Sequence, residues 1–228
     1  MIIQIVSNLR EEGYLEKGPH PTVAPFFAGA NVAFRREAAA EVGGFDPSCT
    51  TGEDCDLCVR LSAADRRLYL RSAAVVLHDN PTTVGHLLRQ WFGYGRYHPH
   101  VFAKHNPPAI ELYARLREPI NGERYGCLFY RLFPVAAVVF VTRFLVLNLL
   151  LLATVGMALA GCETGAWIGL ALSSVAALAY AWRDLRRAGP ARGLLFSGLR
   201  FLADGALFVG ALLGGLRRRM LYLSATID

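Results

Sequence analysis

The stretch CTTGEDCDLCVRL, residues 49–61, sets three carboxylates, Glu53, Asp54 and Asp56, within four positions. Carboxylates this close suit three kinds of chemistry. They can stabilise the positive end of a helix, they can hold a divalent cation, or one of them can take a proton as a general base. Spacing alone leaves all three open. Gly52 precedes them, and Leu57 and Leu61 follow four apart, so the acids stand at the head of a helix predicted over about 54–64. Thr51, three residues before Asp54, approximates a capping box. Cys55 and Cys58 form a C-x-x-C inside that helix, without the second pair a zinc site needs. They read as small buried residues.

The neighbouring elements must position these acids. Gly29-Ala30-Asn31 reads as a tight turn, and Val32 and Phe34 alternate as in a short strand. Arg35–Val42 reads as a helix stopped by Gly43-Gly44, since glycine accepts the left-handed cap conformation. Leu68–His78 has strand character. Thr82 and Thr83 open a helix through Trp91, loosened further on by Gly93, Gly95 and Pro99. Pro107–Glu118 reads as an amphipathic helix on Ile110, Leu112 and Leu116. Residues 119–143, apolar but studded with arginine, form an amphipathic segment along a membrane surface.

The chain has 228 residues, 54% hydrophobic, with a net charge of +6. Residues 1–131 are nearly neutral, with 15 Lys+Arg against 14 Asp+Glu; residues 132–228 carry nine Arg and four acids. A nucleic-acid binder places its excess on a soluble basic face. Here arginines flank apolar runs, which excludes that class and indicates a membrane. Phe144–Ala160 and Gly165–Trp182 are uncharged and approach the ~20 residues a span needs. The link between them lacks Lys and Arg. The next link holds Arg183, Arg186, Arg187 and Arg192, which the positive-inside rule assigns to the cytoplasm, with Glu163 outside. Leu194–Leu216 is apolar but holds Arg200 and Asp204 on one helical face, a costly pair in lipid unless it meets other helices. It reads as an interfacial or re-entrant helix, with a third span as the alternative. Five cysteines, an odd count, in a cytoplasmic setting argue against a disulfide framework.

The order G-A-N-x-A-F-R-R, G-G-F-D, G-E-D-x-D-L-x-x-R-L, V-V-L-H and L-L-R-Q-W-F-x-Y-G-R, followed by apolar spans, resembles the C-terminal half of a membrane-associated family 2 glycosyltransferase. The resemblance covers about residues 24–105. It implies a GT-A fold, a nucleotide-sugar donor, a divalent cation (Mg2+ or Mn2+) and inversion at the anomeric carbon. It places the general base on Asp54, with Glu53 orienting Asp54 or the acceptor, while Asp56 points elsewhere on the helix as a structural residue. It puts Asn31 in the substrate pocket, with a plain turn residue as the alternative. His78 becomes a contact to metal or diphosphate, or a hydrogen-bonded histidine. Arg89, Gln90, Trp91 and Arg96 resemble the family's post-catalytic helix as substrate-binding residues; a helix-surface Arg89 and a packed Trp91 are the alternatives. Processive synthases carry Q-x-x-R-W there, and the tryptophan is displaced by one in this chain, which speaks against polymer processivity.

The expected fold class is therefore α/β: the acceptor-side part of a GT-A-like domain over residues 1–118, the interfacial segment 119–143, and a transmembrane helical region 144–228. The expected partners are a nucleotide-sugar donor, a sugar or lipid-linked acceptor, membrane lipid and a separately encoded N-terminal half; nucleic acid is not among them. The sequence's only D-x-D is Asp54-Cys55-Asp56, which belongs to the helix motif, and there is no glycine-rich phosphate loop. The donor-binding half is thus expected to lie outside this chain. The competing reading is a non-catalytic membrane remnant or scaffold partner of such an enzyme.

Overall fold

The computed structural model describes residues 13–15, 29–70, 76–77, 81–118 and 122–225. A short antiparallel pair, β1 (Gly13–Leu15) and β2 (Leu68–Leu70), brackets the first helices. These are α1 (Arg36–Glu41) and α2 (Glu53–Ala63), preceded by a 3-10 turn at Gly29–Asn31. The long α3 (Val84–His105) leads into β3 (Ala109–Glu118), β4 (Gly122–Leu132) and β5 (Ala136–Val141). Three apolar helices follow: α4 (Arg143–Leu159), α5 (Glu163–Ala188) and α6 (Pro190–Leu216). The chain then returns as β6 (Met220–Leu223) to a four-stranded sheet of order β4-β3-β5-β6. β3 pairs antiparallel with β4 and parallel with β5, and β5 pairs parallel with β6.

Local chemistry explains several element ends. Gly43 and Gly44 take φ of 85° and 69°. Their N–H groups donate to the Ala40 and Ala39 carbonyls, closing α1 as the glycine pair predicts. The Thr83 hydroxyl accepts from the His86 N–H at 3.2 Å and starts α3. The capping box expected at Thr51 is absent: α2 begins from Gly52 at φ 79°, with no side chain capping it. A glycine in the left-handed region turns the chain by itself there, so the cap signal in the sequence goes unused. Val32–Arg35 is irregular rather than a strand.

Two larger corrections concern α3 and β3. Gly93, Gly95 and Pro99 do not loosen α3, which continues to His105. A Cβ placed on Gly95 would stand 2.0 Å from the Leu207 carbonyl oxygen of α6. On α6, Cβ atoms on Gly210 and Gly214 would stand 2.3 Å from the Phe92 and Arg96 carbonyl oxygens. These glycines let two helix backbones touch, the close approach that small residues four apart permit. The helix expected over Pro107–Glu118 is instead the strand β3. Ala109, Glu111 and Tyr113 are buried and alternate with half-buried residues, the period of two that a sheet imposes. A carboxylate in the buried row hides that alternation from a hydropathy reading; the Tyr113 hydroxyl donates to it. The stretch expected to lie along a membrane surface carries β4 and β5. Residues Leu128–Tyr130, Leu132, Phe133 and Val135 in it are exposed.

The core of the α/β part gathers Phe102 of α3, Tyr113 of β3, Val138 of β5, Ala211 of α6, and Met220 and Tyr222 of β6. Tyr113 stacks on Phe140 at 4.9 Å. A second cluster joins Phe144 and Leu147 of α4, Tyr180 of α5 and Ala225. By length and composition α5 and α6 can each cross a membrane, while α4, at 17 residues, is shorter. The protein is thus a mixed α/β domain followed by apolar helices able to span a bilayer. All five cysteines are free.

Candidate functional site

α2 presents its first turn to the Gly29–Asn31 turn. The Gly29 N–H donates to Asp54 Oδ2 at 2.7 Å, and the Cys55 N–H donates to Asp54 Oδ1 at 2.7 Å. Asp54 is half-buried in the first turn of α2. A carboxylate offers about four lone-pair positions, and these bonds take two. Glu53 precedes it, also half-buried, and Asn31 ends the facing turn. Asp54, Glu53 and Asn31 therefore belong to one small region.

Asp56 has a different environment. Fully buried, it accepts from Arg60 Nε and Nη2 at 2.9 and 2.6 Å. Lys104 Nζ lies 2.7 Å and His105 Nε2 2.8 Å from its other oxygen. Burial alone would raise this carboxyl, but hydrogen bonds from Lys104, Arg60 and His105 outweigh it and hold it below its ordinary value. Arg60 also donates to the Val42 and Gly44 carbonyls at the end of α1, and Lys104 reaches Asp46 at 2.5 Å. Hydrogen bonds from Lys104 and Ser48 hold the Asp46 carboxyl well below the usual range. The network ties α1, α2 and the end of α3 into a frame that sets the direction of α2. Asp56 and Arg60, four apart in the motif, could be paired from sequence. Lys104 and His105 lie 49 residues or so away, with no local signal.

Asp46, Cys49 and Asp56 bring ligand atoms within 4.8 Å of one another and could reach one metal ion. The donor set does not suit Mg2+ or Mn2+. Those ions take oxygen ligands and water, whereas this set includes a thiol that burial pushes up toward its protonated form. The Lys104 ammonium already bridges both carboxylates.

The residues expected on a post-catalytic helix fall elsewhere. Gly52 meets α3 at Val101, where a Cβ on the glycine would stand 3.1 Å from the valine side chain. Arg89 precedes Val101 by twelve residues, roughly 18 Å along a helix axis. Arg89 is exposed, Gln90 donates to the Tyr94 hydroxyl at 2.8 Å, and Trp91 packs edge-on against Tyr94 at 5.9 Å. Arg96, also exposed, lies between the two ends, its backbone against Gly214. The structure thus groups Asn31, Glu53 and Asp54, and sets Arg89, Gln90 and Trp91 apart from them. His78 lies outside the described residues.

The model of one family, described as glycosyl transferase family group 2, matches residues 15–183, which include this site, the first apolar helix and most of the second. The chain belongs to that family. Among curated relatives, a pre-mycofactocin glycosyltransferase of Mycobacterium tuberculosis is 42% identical over 73 residues, covering 32% of this chain and 14% of the relative. A succinoglycan biosynthesis protein, ExoA, of Rhizobium meliloti is 34% identical over 77 residues, covering 34% of this chain and 23% of the relative. The matched stretches thus span less than a quarter of these relatives' lengths. No solved structure matches this chain.

Proposed function

We propose that the chain is the acceptor-side part of a membrane-held glycosyltransferase that moves a sugar from a nucleotide-sugar donor to an acceptor hydroxyl at the cytoplasmic face of the inner membrane. In the step, the acceptor oxygen bonds to the anomeric carbon from the side opposite the leaving group. The bond from that carbon to the nucleotide diphosphate breaks, and the acceptor proton passes to the Asp54 carboxylate. An alcohol is a poor nucleophile at neutral pH, so a positioned base lowers the barrier. Glu53 and Asn31 flank the acceptor. Arg89, Gln90, Trp91 and Arg96 serve the diphosphate or the acceptor further along α3, guanidinium being suited to phosphate oxygens.

The observation that carries the reading is Asp54 itself: half-buried, fixed by two backbone N–H groups, and facing the Gly29–Asn31 turn within the family's motif order. The divalent cation belongs with the donor-binding residues, because the cluster around Asp56 is a poor host for it. The two relatives' names point to different products, one naming pre-mycofactocin and the other succinoglycan biosynthesis. The shared chemistry is sugar transfer in glycoconjugate or cell-envelope polysaccharide synthesis.

The test is transfer of radiolabelled sugar in membranes holding this chain together with the donor-binding half. Asp54→Asn is expected to cut transfer by about 10²–10⁴-fold while nucleotide binding stays within about twofold. Transfer near the wild-type rate would remove Asp54 as the base and favour a scaffold role.

A further inference from the structure

The sheet constrains how the chain meets the bilayer. β5 precedes the three apolar helices and β6 follows them, yet the two strands are hydrogen-bonded neighbours, with Ala136 opposite Met220 and Val139 opposite Leu223. Strands in one sheet lie on one side of a membrane, so the chain between them crosses an even number of times. Three helices therefore cannot all span. If α5 and α6 crossed, Arg183, Arg186, Arg187 and Arg192 would stand on the far side, against the positive-inside rule. If α4 and α5 cross, those arginines and Arg143 stay on the sheet's side and the Glu163 link goes across. The Arg143 guanidinium reaches the Ala179 carbonyl at 3.5 Å, so the arginine-bearing ends of α4 and α5 do lie together. At 17 residues, α4 is at the lower limit for a span.

The packing of α6 agrees with this. Its first half packs on the arginine-bearing end of the α4–α5 hairpin: Gly193 meets Leu185, Arg200 pairs with Asp184 at 2.8 Å, and Tyr180 donates to Asp204. Its second half still meets Phe144, at the start of α4, through Phe208, and then packs on α3 through Leu207, Gly210 and Gly214. α4 and α5 meanwhile stay together to their far end, where Gly169 packs on Thr154 and Gly165 on Met157. The face of α6 turned from the protein is apolar along its length: Leu195, Leu202, Val209 and Leu216 are exposed, seven residues apart in register. A helix face in water would be polar. Exposed Arg192 and Arg217–Arg219 bracket this face.

Building on the membrane-held reading, we propose that α6 lies flat in the cytoplasmic leaflet, as a strut between the α4–α5 hairpin and α3. Its apolar face meets acyl chains, its end arginines meet anionic headgroups, and Arg200, Asp184 and Asp204 sit at headgroup depth, where charges cost little.

The experiment uses the full chain in inner membranes with a membrane-impermeant maleimide. In a Cys127→Ser background, Cys162 is expected to label from outside. In Cys127→Ser/Cys162→Ser, added Arg192→Cys or Arg218→Cys is expected to label only after the membrane is opened. Spin labels at Leu195→Cys, Leu202→Cys and Val209→Cys are expected to report one depth. Outside labelling of Arg218→Cys or Arg192→Cys, no outside labelling of Cys162, or a depth change approaching 20 Å from position 195 to 209, would each overturn the proposal. None of these readouts depends on transfer, so their failure is distinct from a failure of Asp54 as the base.

Discussion

A carboxylate meant to accept a proton needs open lone pairs, and one meant to hold elements together needs cations around it. α2 carries two carboxylates, two residues apart, whose surroundings differ in this way. Asp54 meets two backbone N–H groups, while Asp56 meets Arg60, Lys104 and His105. Asp56→Asn removes the anion and leaves the Arg60 and Lys104 cations facing each other beside the His105 ring. It is expected to cost about 3 kcal/mol in chemical denaturation of the detergent-solubilised protein, whereas Asp54→Asn costs about 1 kcal/mol. The Asp56 carboxyl is held below its ordinary value of 3.8, so its contribution is present above that pH and is lost as pH falls through the lower folded value. Asp56→Asn should therefore flatten the acid limb of stability below about pH 4. His98 acts with the opposite charge but the same slope. Desolvation pulls its imidazole from 6.5 down to about 4. Between those values the unfolded chain binds a proton that the folded chain refuses, so stability falls as pH falls from 6.5 to 4. The whole effect is about 3 kcal/mol. Thermal unfolding at pH 7 and pH 5 should show a smaller difference in His98→Leu than in the wild type.

Among the elements, α3 and α6 depend most on shape. Their backbones touch at Gly95, Gly210 and Gly214, so any side chain there must force the helices apart. Gly95→Leu is expected to lower stability by at least about 3 kcal/mol. Gly198→Ala, in open space on α6, should leave it unchanged or raise it by up to about 1 kcal/mol. Melting temperatures of the two variants in one detergent check this contrast. The glycines were visible in the sequence, but their partners were not. Read locally they loosen a helix; in the fold they are where two helices meet. β3 shows a related effect. Ile110, Leu112 and Leu116 suit a helical face as well as a strand. The buried row of the strand, Ala109, Glu111 and Tyr113, contains an acid that no hydropathy pattern places inside. Where local signals were unambiguous they held: the Gly43-Gly44 stop, the Thr83 start and the α2 helix all stand where the spacing puts them.

For the whole molecule, the sheet and the apolar helices form one connected body, because β6 brings the chain back beside β5 after α6. Its membrane attachment is expected to survive washing with alkaline carbonate and with high salt, and to yield only to detergent. Release by salt alone would mean that the +6 charge, and not the apolar helices, holds it. The sequence by itself determined the family-like order of motifs, the helix carrying Glu53 and Asp54, and the apolar, arginine-bracketed second half. Each of these is written in neighbouring residues, through periodicity, capping and local charge. The tertiary structure alone decided that Lys104 and His105 hold Asp56, that Arg89 lies far along α3 from Asp54, and that β3, β4 and β5 form a sheet closed by β6. Those depend on contacts between distant parts of the chain, whose benefit exists only once the intervening loops have closed, and no short window of sequence records them.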